Sequence, residues 1–179
     1  MRVFVVGTGR CGSVSFREAC RHATNYTAGH ESKCGLLEYP DAWIEVNPQL
    51  RCCIPHLAEK YPDASWVHLV RTPETCIPSL AALGHGSVMH SYRLLHNSVV
   101  PSDDPRDVAY RYYWAENDAI RVMLAACVPE TQRMVVRLED VKAQWADFWR
   151  FARCEGDYEA SLRSWDVRRN TREERGEKR

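Results

Sequence analysis

The run Val3-Phe-Val-Val-Gly-Thr-Gly-Arg-Cys-Gly-Ser13 constrains this chain more than any other stretch. Val3 to Val6 is a short apolar segment of β-branched and aromatic residues, the composition of a buried strand. Gly7, Gly9 and Gly12 then permit a tight turn, and helical composition begins near Ser13. A glycine turn between a strand and a helix directs several backbone N–H groups, together with the positive end of the helix dipole, at one place. Phosphate or sulfate is the natural occupant. The Gly7-x4-Gly12 spacing opens like a nucleotide-binding P-loop, but Ser13 and Val14 stand where that motif needs Lys followed by Ser or Thr. An ordinary ATP or GTP hydrolase is therefore not expected.

At 179 residues the chain fits one α/β domain over residues 1–165 with a charged tail over 166–179. A domain of about 150 residues hides roughly 70% of its unfolded surface, enough for a substantial core. Lys plus Arg and Asp plus Glu both number 24. With no net charge there is no global attraction to nucleic acid or to an anionic membrane, so any anion site must be local. The first apolar run is four residues long and no stretch approaches a membrane span, so a soluble, cytoplasmic protein is expected. The eight cysteines are read as free thiols, because the chain has ample core without disulfides. Cys20, Cys76 and Cys127 fall at apolar helical positions and are expected in the core. Cys52-Cys53, with His30, Cys34 and His56, includes no C-x2-C pair, and no metal site is expected.

Along the chain, periodicity predicts a helix over 13–23, with Val14, Ala19 and Cys20 on its apolar side, and strands over 25–30 and 43–46. A helix from Pro48 to about Lys60 and a strand over 65–70 follow. Thr72-Pro73-Glu74 combines an N-cap, a first-turn proline and a first-turn acid, so a helix should run from there toward Leu83, with Pro78 breaking or kinking it. The His-rich 84–97 segment reads as a loop with a short helix. The longest helix is predicted over 106–127, with Val108, Tyr112, Ala115, Ala119, Val122 and Met123 as its apolar stripe. A last strand over 134–138 leads into an amphipathic helix over 140–152 that carries Val141, Trp145, Phe148 and Trp149. From Arg168 the chain is almost wholly charged and reads as a tail. Alternating strands and helices predict a parallel sheet covered on both faces, a three-layer α/β/α domain. Ligands of such sheets sit at the carboxyl ends of the strands, where the Gly7 loop and Arg71 both fall.

With Arg10 inside it, Gly-Thr-Gly-Arg-Cys-Gly-Ser resembles the 5′-phosphosulfate loop of sulfotransferases that use 3′-phosphoadenosine 5′-phosphosulfate (PAPS). Arg71 at a strand end, with Ser79 eight residues later, resembles the 3′-phosphate motif of the same family. Val136-Arg-Leu-Glu-Asp-Val141 is similar to a late strand-to-helix landmark in those domains, and Glu139 and Asp140 are expected to charge that helix start. The resemblance implies a sulfotransferase fold related to P-loop NTPases, and transfer of a sulfuryl group from PAPS to a hydroxyl or amine of a small-molecule or saccharide acceptor. It implies that Gly7, Thr8, Gly9, Arg10, Cys11, Gly12, Ser13 and Val14 form the phosphosulfate loop. Arg71 and Ser79 would bind the 3′-phosphate, and Arg10 would stabilise charge on the leaving group. Glu31, or its neighbour His30, stands where the family's general base would be placed. Cys11 and Val14 replace hydroxyl residues of the family loop, and a glycine-rich C-terminal closing motif is absent.

Two rival readings accompany this one. Cys11 and Arg17 satisfy the C-x5-R spacing of cysteine phosphatases, whose thiolate attacks phosphorus while Arg grips phosphate. A degenerate P-loop module that binds a phosphorylated nucleotide or a protein partner without turnover is the non-enzymatic alternative.

Overall fold

The structure is a computed structural model and describes residues 1–32, 36–83, 87–96, 102, 104–167 and 169. Five strands, β1 (Arg2–Val6), β2 (Thr27–His30), β3 (Trp43–Val46), β4 (Ser65–Val70) and β5 (Arg133–Arg137), form one sheet. Their order is β2-β3-β1-β4-β5 and every pairing is parallel. The strand order reverses beside β1: the chain builds β2 and β3 on one side of it, then crosses to β4 and β5 on the other. Ligands of open α/β sheets bind at such a point.

The helices are α1 (Ser13–Cys20), α2 (Ile54–Lys60), α3 (Pro73–Ala81), α4 (Val88–His96), α5 (Pro105–Cys127), α6 (Val141–Phe151) and α7 (Tyr158–Arg163). The period of two in β1 divides its side chains between two cores, as a central parallel strand requires. Val3 and Val5 pack with Phe16 of α1 and with Trp145 and Phe148 of α6. Phe4 and Val6 pack with Leu57 of α2 and with Ile120 and Leu124 of α5. Phe16 meets Trp145 and Phe148 edge-on, with ring centroids 5.2 and 4.8 Å apart. A third cluster joins α3, α4 and α5 through Cys76, Leu80, Met89 and Tyr112.

The predicted alternation of elements is present, with differences that have physical causes. The segment from Pro48 begins as a 3-10 turn over Pro48–Cys53 before α2, capped by the Asn47 side chain, which accepts from the Gln49 N–H. Helix α3 continues through Pro78 rather than breaking. Pro78 and Glu74 lie on its exposed face, so the carbonyl that loses its N–H partner is open to water. The stripe of α5 differs most: Ala115, Ala119 and Val122 are exposed, and the buried face is Val108, Ala109, Tyr112, Tyr113, Ile120 and Leu124. Glu116 and Asn117 interrupt that face, which hid it from a search for apolar residues alone. Cys127 is exposed, not in the core, while Cys20 and Cys76 are buried; the described cysteines are all free. Helix α7 was not anticipated. It docks on α1 through Ser161, whose hydroxyl donates to the Ala19 carbonyl and accepts from Trp145 Nε1. The tail from Arg168 and Cys34 lie outside the described residues, Arg169 excepted. No described helix is long and apolar enough to cross a membrane.

Asn117 explains one polar interruption of α5. His68 of β4 is buried, and its Nε2–H donates to Asn117 Oδ1 at 2.9 Å. Burial lowers the imidazole pKa to about 4, against the smaller opposing effect of the Asn117 bond. The native state thus holds His68 neutral, while the unfolded chain takes up a proton below about 6.5. The unfolded state binds more protons in that window, so His68 contributes stability above pH 6.5 that is lost as pH falls toward 4. Urea titrations at pH 7 and pH 4 should show the wild type losing about 3 kcal/mol more than His68→Gln. Equal losses would mean that His68 is protonated in the fold.

Candidate active site

The β1–α1 turn has three left-handed residues within four: Gly9 (φ 79°), Arg10 (φ 55°) and Gly12 (φ 93°). Alternation of left-handed and ordinary residues curls the backbone into a concave nest of N–H groups. Gly12 is the N-cap of α1, which has no side-chain cap and no acidic residue in its first turn. The helix end is therefore left positive. A Cβ on Gly7 would lie 2.6 Å from the Leu69 carbonyl oxygen, so glycine here lets the turn leave the sheet directly beside β4.

Arg10 pays for its left-handed backbone with contacts to a second segment. Its carbonyl accepts from Arg71 Nη1 at 3.1 Å, and its own Nε donates to Ser79 Oγ at 3.0 Å. Arg71 Nε donates to Thr75 Oγ1 at 3.0 Å. Thr75 and Ser79 are four residues apart on α3, so one helix face carries both hydroxyls to the two arginines. Thr72 caps differently from expectation. Its hydroxyl and N–H both donate to the Glu139 carboxylate, at 3.0 and 3.1 Å, and the hydroxyl also meets Thr75 Oγ1 at 2.9 Å but accepts from no backbone N–H of the helix. Glu139 thus serves the start of α3 and joins the ends of β4 and β5; the hydrogen bonds from Thr72 and Thr75 outweigh burial and hold its pKa below the ordinary carboxylate value. Asp140 is the N-cap of α6 but makes no side-chain cap bond.

A cleft of about 520 Å³ opens in front of the loop. Thr8, Gly9, Arg10, Ser13, His30 and Glu31 line it, whereas Gly7, Cys11, Gly12, Val14, Arg71 and Ser79 do not. His30 Nε2 lies 3.0 Å from Ser13 Oγ. Burial lowers the His30 pKa, opposed in part by Glu31 and Glu45, so the ring is neutral at pH 7. Glu31 has a left-handed backbone (φ 49°) at the turn that follows β2.

That turn is fixed from beneath by Glu45, a wholly buried carboxylate on β3. Its oxygens accept from the Ser32 N–H at 2.7 Å, from Trp43 Nε1 at 2.9 Å and from Asn47 Nδ2 at 3.3 Å, and also from the Ser32 hydroxyl. Sequence reasoning passed over Glu45, although an acid inside the apolar run Trp43-Ile-Glu-Val46 was a signal. It also missed Arg51 and Tyr112, which line the cleft wall. Tyr112 donates its hydroxyl to the Thr8 carbonyl at 2.9 Å.

The phosphatase reading does not survive this geometry. Cys11 is buried in the core under α1, and burial, reinforced by Cys76, pushes its thiol up to about 12. A nucleophilic cysteine needs a depressed pKa and access to substrate, and Cys11 has neither. No group of three or more metal-ligating side chains occurs among the described residues.

No family model and no curated protein matches the sequence. Among solved structures, the fold matches the sulfotransferase domain from the curacin biosynthetic pathway with a TM-score of 0.63 at 13% identity, over 89% of this chain and 75% of that one. At that identity the likeness is one of fold: a parallel sheet between helical layers, as in a sulfotransferase domain.

Gly12 and Gly9 separate two demands on the loop. A Cβ on Gly12 would meet Leu138 Cδ1 at 2.6 Å, whereas one on Gly9 would approach nothing nearer than Pro48 Cβ at 3.9 Å. Both substitutions incur the left-handed penalty of about 1–2 kcal/mol. Only Gly12→Ala also displaces Leu138, a half-buried side chain packed against the core, so chemical denaturation should show it losing about 1 kcal/mol or more beyond Gly9→Ala. Equal losses would mean that Leu138 yields without cost.

Proposed function

We propose that this chain is a sulfotransferase that moves a sulfuryl group from PAPS to a hydroxyl or amine of a small-molecule or saccharide acceptor. One observation carries the reading: Arg10 of the loop bonds Ser79, and Arg71 bonds the Arg10 carbonyl, so two segments some 60 residues apart in the chain meet at the strand ends. These are the two segments that resemble the cofactor motifs. The sulfotransferase-like fold supports the same reading.

In this reading the nest and the α1 N-terminus hold the 5′-phosphosulfate. Arg71 and Ser79 hold the 3′-phosphate. Ser79 accepts from Arg10 through its oxygen and keeps its hydroxyl proton to donate. Transfer forms a bond from the acceptor oxygen or nitrogen to sulfur while the bond from sulfur to the 5′-phosphate oxygen breaks. Negative charge grows on that leaving oxygen, and Arg10, a permanent cation, stabilises it. The acceptor proton passes to Glu31 or to neutral His30, both on the cleft wall.

Calorimetry with 3′-phosphoadenosine 5′-phosphate tests the binding half. Arg71→Ala should weaken this ligand far more than adenosine 5′-phosphate, and equal weakening would remove Arg71 from the site. Transfer of labelled sulfate from PAPS across an acceptor panel tests the chemistry. Arg10→Ala should lower turnover by roughly 10²-fold or more. Glu31→Gln should abolish most transfer, and the acidic limb of the pH–rate profile, while leaving nucleotide affinity nearly unchanged. Loss on His30→Ala with normal turnover in Glu31→Gln would make His30 the base, and no effect of either would end the catalytic role of this turn.

A further inference from the structure

Arg51 belongs to neither cofactor motif, yet it is a second arginine on the cleft wall besides Arg10. Its side chain is 11% exposed and is held at three points. Nε pairs with the Glu116 carboxylate, Nη1 donates to the Pro48 carbonyl at 2.9 Å, and the guanidinium carbon lies 5.6 Å from the centre of the Tyr112 ring. Tyr112 is itself tied to the loop through Thr8. No described residue accepts a bond from Nη2.

An arginine held in this way has little side-chain entropy left to lose, so its remaining N–H groups are preorganised donors. The same cleft has apolar lining from Pro48, Leu80, Leu83 and Val88, beside the polar Gln49. Glu31 is the only carboxylate among the described lining residues; Glu116, which pairs with Arg51 through Nε, is not one of them.

We propose that Arg51 recognises the acceptor, and that the acceptor carries a carboxylate or another acidic oxygen on an apolar body. The term acceptor rests on the sulfotransferase reading; the anion site at Arg51 does not. A carboxylate would take charge-assisted hydrogen bonds from Nη2 while its apolar body covers Leu80, Leu83 and Val88. Such an anchor sets which hydroxyl or amine reaches Glu31 and His30, so Arg51 is a specificity residue and not a catalytic one.

The test uses the full chain and two probe pairs: 4-hydroxyphenylacetate and 3-hydroxyoctanoate, each against its methyl ester. Affinities are measured by calorimetry with and without saturating 3′-phosphoadenosine 5′-phosphate. At least one acid should bind about 10-fold or more tightly than its ester, the scale of a charge-assisted hydrogen bond. Arg51→Gln should reduce that preference to about twofold or less and leave ester affinity unchanged. Because Arg51→Gln leaves Glu116 without its partner, the Arg51→Gln/Glu116→Gln double variant carries the same test if the single variant fails to fold. The proposal is overturned if neither acid binds better than its ester, or if the preference survives in these variants. It is also overturned if Arg51→Gln weakens PAPS but not 3′-phosphoadenosine 5′-phosphate and leaves the acid preference intact, since Arg51 would then face the sulfuryl group. An acid preference that depends on Arg51 in a protein that fails to bind the nucleotide would uphold the anion site and refute the sulfotransferase reading.

Discussion

The hydrogen bond from Arg71 to the Arg10 carbonyl holds together what the candidate site depends on. Arg10 has a left-handed backbone, which costs about 1–2 kcal/mol for a residue with a Cβ and persists only where surrounding contacts over-determine it. The contacts come from both ends of the side chain and main chain at once: Arg71 on the carbonyl and Ser79 on Nε. Arg71 in turn is placed by the end of β4, next to β1 in the sheet, and its own carbonyl accepts from Tyr113 of α5. The sheet therefore sets the loop, and with it the direction of the N–H groups at the start of α1.

A second support lies under the opposite wall. Glu45 is wholly buried on β3 yet ties down Ser32 through the main chain and side chain. Burying a carboxylate is costly unless its lone pairs are filled, and here Ser32, Trp43 and Asn47 fill them. The result is a turn in which His30 and Glu31 are presented side by side at the end of an edge strand. Such a position would otherwise be loosely held, because among the described strands β2 pairs with β3 alone.

Helix α5 links the core on the Phe4 and Val6 side of the sheet, and the cluster it forms with α3 and α4, to the site. Its buried face alternates apolar side chains with Glu116 and Asn117, which partner Arg51 and His68. Polar groups in that position impose a particular arrangement of α5 on the sheet, because a shifted helix would leave both partners unsatisfied. They also carry Tyr112 to the Thr8 carbonyl, so the longest helix of the domain reaches the loop directly.

Local pattern alone determined the strands 43–46 and 65–70, the loop from Gly7 to Ser13 and the parallel three-layer fold. These follow from short-range rules: β-branched runs, glycine where the backbone must turn left, and proline at a helix start. That the Arg10 loop and the Arg71–Ser79 segment belong together was expected only through resemblance to a family, and the bond from Arg10 to Ser79 appeared only in the fold. The roles of Arg51, Glu45 and Glu139, the true face of α5 and the burial of Cys11 were decided by tertiary structure. Arg51, Glu45 and Glu139 each depend on a partner 13 to 67 residues away, and the Cys11 thiol on the core that closes over the loop. Sequence spacing does not encode such distances, because the same charged residue is solvated in one packing and locked in another. Desolvation and a fixed partner, which exist only once the layers close, decide whether an arginine or an acid is surface or site.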